Sequence, residues 1–390
     1  MKSIAVVGGD VVTESGILPQ HSVEVQKGII ETIVPSKDYS PPGGLKVFDA
    51  SGCYVTPGLI DIHIHGLRGD DVMDSDPQAV VRIAEALPGF GVTSFLPTAY
   101  CNPLDVITRF ITTAFEASRM DYCGARVLGA NVEGPYLSPD HRGMQLSHMV
   151  LEPKVRSVKM ILSIAPEFVR MMTIAPEMPG ADKVIRYLHS AGIVAAAGHT
   201  GATAAEMERA VDDGVSHVTH CYNAMPAMRT REPGAVGVAL TDDRLTCELI
   251  ADSVHVHPMM MELLLRMKGT DRVILVSDGT RATDMPEGFY EAGGQVVQVE
   301  DGVVTLDDGT LAGSHKTIHA GFVNSVKLLG LSIEDAVKMA STNPARVCAF
   351  HGELGTIEPG KIADLAVFDR DLGATATLIG GEVCWPPGSA

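Results

Sequence analysis

Short apolar runs that break off at a histidine, glutamate or aspartate recur through the middle of the chain, separated by stretches with helical spacing. The runs ending at His65, Thr98, Glu133, Glu177, His199, His220, His255 and Asp278 read as eight strands. Residues 77–87, 104–118, 181–191, 202–212 and 259–267 read as helices between them, and in the second of these Val106, Phe110, Ala114 and Ala117 keep a three-to-four-residue apolar spacing. Alternating strands and helices predict a parallel sheet with helical crossovers. Eight such units predict an α/β fold of the (β/α)8 TIM type over residues 58–349.

The chain ends are patterned differently. Residues 1–57 and 350–390 both alternate short β-type runs with Gly and Pro turns, the second through Gly355-Thr356-Ile357-Glu358-Pro359-Gly360 and on to Phe368. Neither stretch makes a good sandwich alone, so the two are expected to pair into one small β-sandwich domain. Residues 295–299 and 303–306, around Glu300-Asp301-Gly302, predict a hairpin inserted after the eighth strand.

Composition narrows the partners. With 30 Lys and Arg against 48 Asp and Glu, the formal charge of −18 opposes nonspecific binding to nucleic acid or to an anionic membrane. A small anionic ligand then needs a local basic pocket. The opening residues carry too short an apolar stretch for a signal peptide, and no later run reaches the ~18 residues of a membrane span, so a cytoplasmic location is expected. The 7 cysteines form no Cys-x-x-Cys pair and sit mostly among apolar residues, which predicts reduced core thiols; Cys221, beside His220, reads as packing.

The chemistry lies in the residues that stop the apolar runs. Alternate residues of a strand face one side, so His63 and His65 can offer both imidazoles to one ion, with Ile62 and Ile64 packed behind them. Glu133, His199 and His220 form a three-ligand set that leaves a coordination position open. All lie where an α/β barrel carries its functional groups. Asp278, from the last strand, is placed to ligate and to act as a proton shuttle. Nitrogen and oxygen donors without thiolate suit zinc, and equally iron(II), cobalt or manganese, as one ion or two.

The segments Glu133-Gly134-Pro135-Tyr136-Leu137, Thr219-His220-Cys221-Tyr222-Asn223-Ala224-Met225-Pro226, Arg231-Glu232-Pro233-Gly234, Ile250-Ala251-Asp252-Ser253-Val254-His255 and Leu311-Ala312-Gly313-Ser314 carry a more specific signal. Through them, and nearly end to end, the chain resembles the N-acetylglucosamine-6-phosphate deacetylases of the amidohydrolase superfamily. The resemblance implies hydrolysis of the acetamide of an N-acetyl amino sugar 6-phosphate. It implies that Arg231 and the backbone amides of Asn223 and Ala224 hold the phosphate, that His255 touches substrate, and that Leu311, Ala312 and Gly313 line the sugar and acetyl pocket. It further implies a homodimer in which part of the phosphate grip crosses the interface.

One position departs from the family pattern. Where relatives commonly carry Gly-Ala-His, this chain has Gly143-Met144-Gln145. Gln145 both donates and accepts hydrogen bonds and is expected to read a sugar hydroxyl, which opens the epimer preference. His141 and His148 lie nearby as loop histidines, and Lys316, after Ser314-His315, adds positive charge close to the pocket segment. The gluco 6-phosphate is the first expectation. Another epimer, another N-acyl or cyclic amide, and a non-enzymatic barrel scaffold are the alternatives.

Overall fold

The computed structural model describes residues 3–387. Residues 1, 2 and 388–390, assigned above to the small β domain, lie outside the described residues. Eight parallel strands build the barrel: β1 (Leu59–Ile64), β2 (Val92–Ala99), β3 (Ala130–Tyr136), β4 (Val169–Ile174), β5 (Val194–Ala197), β6 (Val215–Val218), β7 (Thr246–Leu249) and β8 (Val273–Leu275). Each pairs with the next. The ring closes at its C-terminal rim, where Asp278 N–H donates to His63 O at 2.9 Å and His65 N–H to Gly279 O at 2.7 Å.

A helix follows every strand: α1 (Pro77–Ala86), α2 (Leu104–Ala117), α3 (Val155–Ile164), α4 (Ala181–Ser190), α5 (Ala204–Asp213), α6 (Gly234–Thr241), α7 (Pro258–Lys268) and α8 (Ile318–Lys327). Local chemistry sets their starts. Asp76 caps α1 with Pro77 in the first turn, and Thr203 and Glu206 form a reciprocal capping box on α5. In α2 the buried stripe is Ile107, Phe110, Ile111, Ala114 and Ala117, with Val106 half-buried at its edge.

Ile60, Ile62, Leu96, Met171, Ala196 and Ile274, from five of the strands, share one buried cluster, the barrel interior, with Ile250 just past β7. Ile64 instead packs in the layer beneath the helices. The expectation that Ile62 and Ile64 share one side is thus corrected. A bulge between Asp61 and Ile64 interrupts the alternation just before the histidines reach the mouth.

Both chain ends join one eight-stranded sheet with its own core, where Leu365–Phe368 pairs antiparallel with Tyr54–Pro57. The inserted hairpin after β8 gains a third antiparallel strand, Gly288–Ala292, beside Gln295–Glu300 and Val303–Thr305. Among the described residues no helix is long and apolar enough to cross a membrane.

The reading of all cysteines as reduced is overturned: Cys123, in the loop after α2, is disulfide-bonded to Cys384 in the last strand of the small sheet. The bond staples barrel to sheet. The other five cysteines are free, and Cys221 packs in the barrel's outer core, as read.

Candidate metal centre

The side chains of the centre leave the C-terminal ends of β1, β3, β5, β6 and β8. His199, His220 and Asp278 have positive φ values of 47°, 26° and 51°. Such backbone is uncommon outside glycine and persists only where the surroundings hold it. It ends the strand and turns the side chain into the barrel mouth. At His220 the hold includes a hydrogen bond from its N–H to Glu248 Oε2 at 2.9 Å.

Two donor sets overlap at Glu133. Its Oε1 lies 2.9 Å from His199 Nε2 and 3.0 Å from His220 Nε2, and these two nitrogens are 3.0 Å apart. The same Oε1 is 3.4 Å from His63 Nε2, while Oε2 is 3.7 Å from His65 Nε2. Asp278 Oδ1 completes the second set, 3.2 Å from His65 Nε2 and 3.5 Å from His63 Nε2.

Hydrogen bonds fix which nitrogens face inward. His63 Nδ1 meets Glu248 Oε2 at 3.0 Å, His65 Nδ1 meets Thr98 O at 2.8 Å, and His199 Nδ1 meets His141 O at 3.1 Å. Carboxylates and carbonyls only accept, so all three Nδ1 atoms carry a proton and each Nε2 is left to take either a second proton or a metal. His63 Nε2 is buried without a hydrogen-bond partner.

The electrostatics point the same way. Burial disfavours the Glu133 carboxylate, yet the charge and hydrogen bonds of His199, with His220 and His63, hold it well below the usual range. Burial pushes His63 down, but the Glu248 and Glu133 carboxylates raise it well above its ordinary value. Asp278 is lowered, its burial outweighed by His65 and His63. The centre draws positive charge to Nε2 atoms arranged around shared carboxylate oxygens, and these residues fit a divalent ion.

The pocket above this floor is lined by His255, Asn223, Ala224, Leu311, Gly313 and Tyr100, among others. Asp252 orients His255, accepting from its Nδ1 at 2.8 Å and also from Ser314 Oγ at 2.7 Å. Ala312 is fully buried and turned away, its N–H donating to Val304 O. Asn223 N–H is bonded to His220 O at 2.9 Å and is therefore not available as the expected phosphate donor. Arg231 is exposed on the segment between β6 and α6, outside this pocket. The Glu232 carboxylate beside it is turned to the N–H groups of Ala204 and Gly234.

Gln145 lines the pocket but is almost fully buried: its Nε2 donates to Glu133 Oε2 at 2.7 Å and its Oε1 accepts from Cys101 N–H at 3.1 Å. One donor and one acceptor site of the expected hydroxyl reader are thus bonded to protein. His315 Nε2 meets Met285 O at 2.8 Å, and Lys316 is exposed and away from the pocket.

Sequence reasoning missed Tyr100, which stacks on His65 with ring centroids 4.0 Å apart, and the buried pair Glu248 and His217. The available signal was a lone carboxylate inside the apolar run Leu245-Thr246-Cys247-Glu248-Leu249-Ile250.

A parallel eight-stranded barrel with His, Glu and Asp donors converging at its C-terminal mouth defines a metal-dependent hydrolase of the amidohydrolase kind. The chain belongs to the amidohydrolase family, whose pattern matches residues 54–384. It is 34% identical over 371 residues to an N-acetylgalactosamine-6-phosphate deacetylase of Escherichia coli O157:H7, covering 95% of this chain and 96% of that one. It is 33% identical over 378 residues to an N-acetylglucosamine-6-phosphate deacetylase of Bacillus subtilis (strain 168), covering 96% and 95%. The crystal structure of N-acetylglucosamine-6-phosphate deacetylase from Pasteurella multocida superposes with a TM-score of 0.92 at 28% identity, covering 98% of this chain and 99% of that one.

Proposed function

We propose that the protein hydrolyses the acetamide of an N-acetyl-D-hexosamine 6-phosphate, the gluco compound first, giving the amino sugar phosphate and acetate. The observation that carries this reading is the convergence of Glu133, His199 and His220 on one point of the pocket floor with Asp278 beside it. A divalent ion held there supplies Lewis-acid polarisation of the acetyl carbonyl and lowers the pKa of the attacking water. Zinc is the first choice of metal, with iron(II), cobalt and manganese as alternatives.

The side chains supply the rest. Asp278 accepts one proton from the attacking water and returns it to the sugar nitrogen as the C–N bond breaks; the water's other proton, left on the acetic acid, passes to the amine, so acetate and the ammonium form of the sugar leave. His255, braced by Asp252, offers its Nε2 to the sugar. Leu311 and Gly313 form the wall against which the acetyl group packs. The exposed guanidinium of Arg231 and the backbone N–H of Ala224 take the phosphate, with Arg231 reaching the pocket of the partner subunit in a homodimer. The barrel that carries this site is taken as residues 58–349 and the small domain as 1–57 with 350–390.

The two relatives named above differ in the sugar they act on and are almost equally similar to this chain, so the epimer must be read from activity. Comparing the N-acetylhexosamines with and without the 6-phosphate tests the reading. Turnover confined to the phosphorylated sugars supports it, and equal turnover of both forms contradicts the phosphate grip.

A further inference from the structure

The buried Glu248 lies outside both donor sets yet touches a member of each. It sits on β7 with no exposed surface. Its Oε2 is 3.0 Å from His63 Nδ1 and accepts the N–H of His220 at 2.9 Å; its Oε1 is 3.1 Å from His217 Nε2. His217, fully buried on β6, is backed at Nδ1 by Thr246 Oγ1 at 2.7 Å, and that hydroxyl donates to Ser216 O at 3.2 Å. A row of hydrogen bonds thus runs from the strand backbone through His217 and Glu248 to the first-strand histidine.

We propose that Glu248 is a positioning residue for a second metal ion, acting through His63. This inference rests on the two-ion form of the reading above. Its physical basis is tautomer control. An imidazole with no acceptor at Nδ1 is free to place its proton on Nε2, which abolishes it as a ligand at that atom, whereas a carboxylate at Nδ1 holds the proton there and fixes the ring plane. His65 and His199 obtain the same service from the backbone carbonyls of Thr98 and His141. His63 has no such carbonyl and depends on a side chain. Because Nε2 of His63 faces Asp278 and Glu133, losing Glu248 is felt first at the set built from His63, His65, Asp278 and Glu133.

The substitutions discriminate. Glu248→Met keeps the volume and removes every acceptor. Glu248→Gln can keep its carbonyl oxygen toward His63 and His220 and turn its amide toward His217, which then donates through Nδ1 to Thr246 while Thr246 still donates to Ser216. The full-length protein is stripped, titrated with cobalt(II) against a competing chelator, and its bound metal counted. The wild type is expected to take up two ions per subunit. Glu248→Met should bind the second ion at least about tenfold more weakly, in the range found for lost outer-shell partners, and lose clearly less at the first ion, whose set Glu248 meets only through the His220 N–H. Glu248→Gln should recover most of that loss.

In a His63→Asn background, Glu248→Met should have little further effect on the second ion, because two residues acting through one contact are not additive. Equal affinity of wild type and Glu248→Met for the second ion overturns the proposal. So does an equal loss of both ions, which makes Glu248 a general support of the fold. A wild type that holds a single ion at saturation removes the two-ion premise, and the inference falls with it while acetamide hydrolysis by one ion stands.

Discussion

The Gln145 amide donates to Glu133 Oε2 at 2.7 Å, on the carboxylate that both donor sets share. With its carbonyl oxygen on Cys101 N–H, Gln145 is an orienter of Glu133. A hydrogen bond to a charged group contributes about 1.5–3 kcal/mol. Gln145→Leu should therefore lower kcat/KM about tenfold or more for every epimer alike. Steady-state kinetics on the gluco and galacto 6-phosphates check this, and a changed epimer ratio larger than the common loss would return Gln145 to the role of hydroxyl reader.

Asp278 stands 3.2 Å from His65 Nε2, with its carboxyl held below the usual range. Asp278→Asn removes the base and the acid in one change. Turnover should fall at least ~10²-fold, the lower range for a positioned acid-base group, while the ion bound by Glu133, His199 and His220 stays. Metal content and kcat are measured on the same sample. Unchanged turnover rules out the shuttle.

Arg231 is exposed, and its neighbour Glu232 is engaged elsewhere. Losing one charge-assisted contact should cost about 1.5–3 kcal/mol of phosphate binding, so Arg231→Ala should raise KM for a phosphorylated sugar about tenfold or more. The thermal midpoint should not move. Equal losses on phosphorylated and unphosphorylated sugars would make Arg231 structural.

The fold was legible because burial and chemistry alternate along the chain. Apolar runs stopping at His63-Ile64-His65, Glu133, His199, His220 and Asp278 mark strand ends, since a polar group there faces the barrel mouth while the run behind it faces packed neighbours. Boundaries were less legible. The seventh strand was read to His255 but stops at Leu249, because Asp252 turns the chain by accepting the N–H groups of Val254 and His255. The place of Ile62 depended on a bulge, which alternation does not encode. The role of Gln145 depended on Cys101, 44 residues away in sequence, and the disulfide joined residues 261 apart. None of these leaves a local signal.

That disulfide makes a direct prediction. Denatured without reductant, the chain should show five free thiols, and seven after reduction. A link across so long a segment removes denatured-state entropy worth up to about 5 kcal/mol in the chain-entropy account, so Cys123→Ser should lower the midpoint of denaturant unfolding. Seven reactive thiols without reductant would contradict the bond.

A buried set of carboxylates and inward imidazole nitrogens should be more stable with its ion. Metal at ~100 times its Kd contributes about 2.7 kcal/mol, and chelation should lower Tm by several degrees. Calorimetry with and without chelator reads this directly. An unchanged Tm would mean that these residues hold no ion in the folded state.

The most direct measurement is acetate release from the 6-phosphates of N-acetylglucosamine, N-acetylgalactosamine and N-acetylmannosamine by stripped protein and by protein reloaded with zinc, iron(II), cobalt or manganese. Turnover should be absent without metal and return on reloading, fastest on the gluco compound. No acetate from any of the three, with metal bound, would contradict the proposed function.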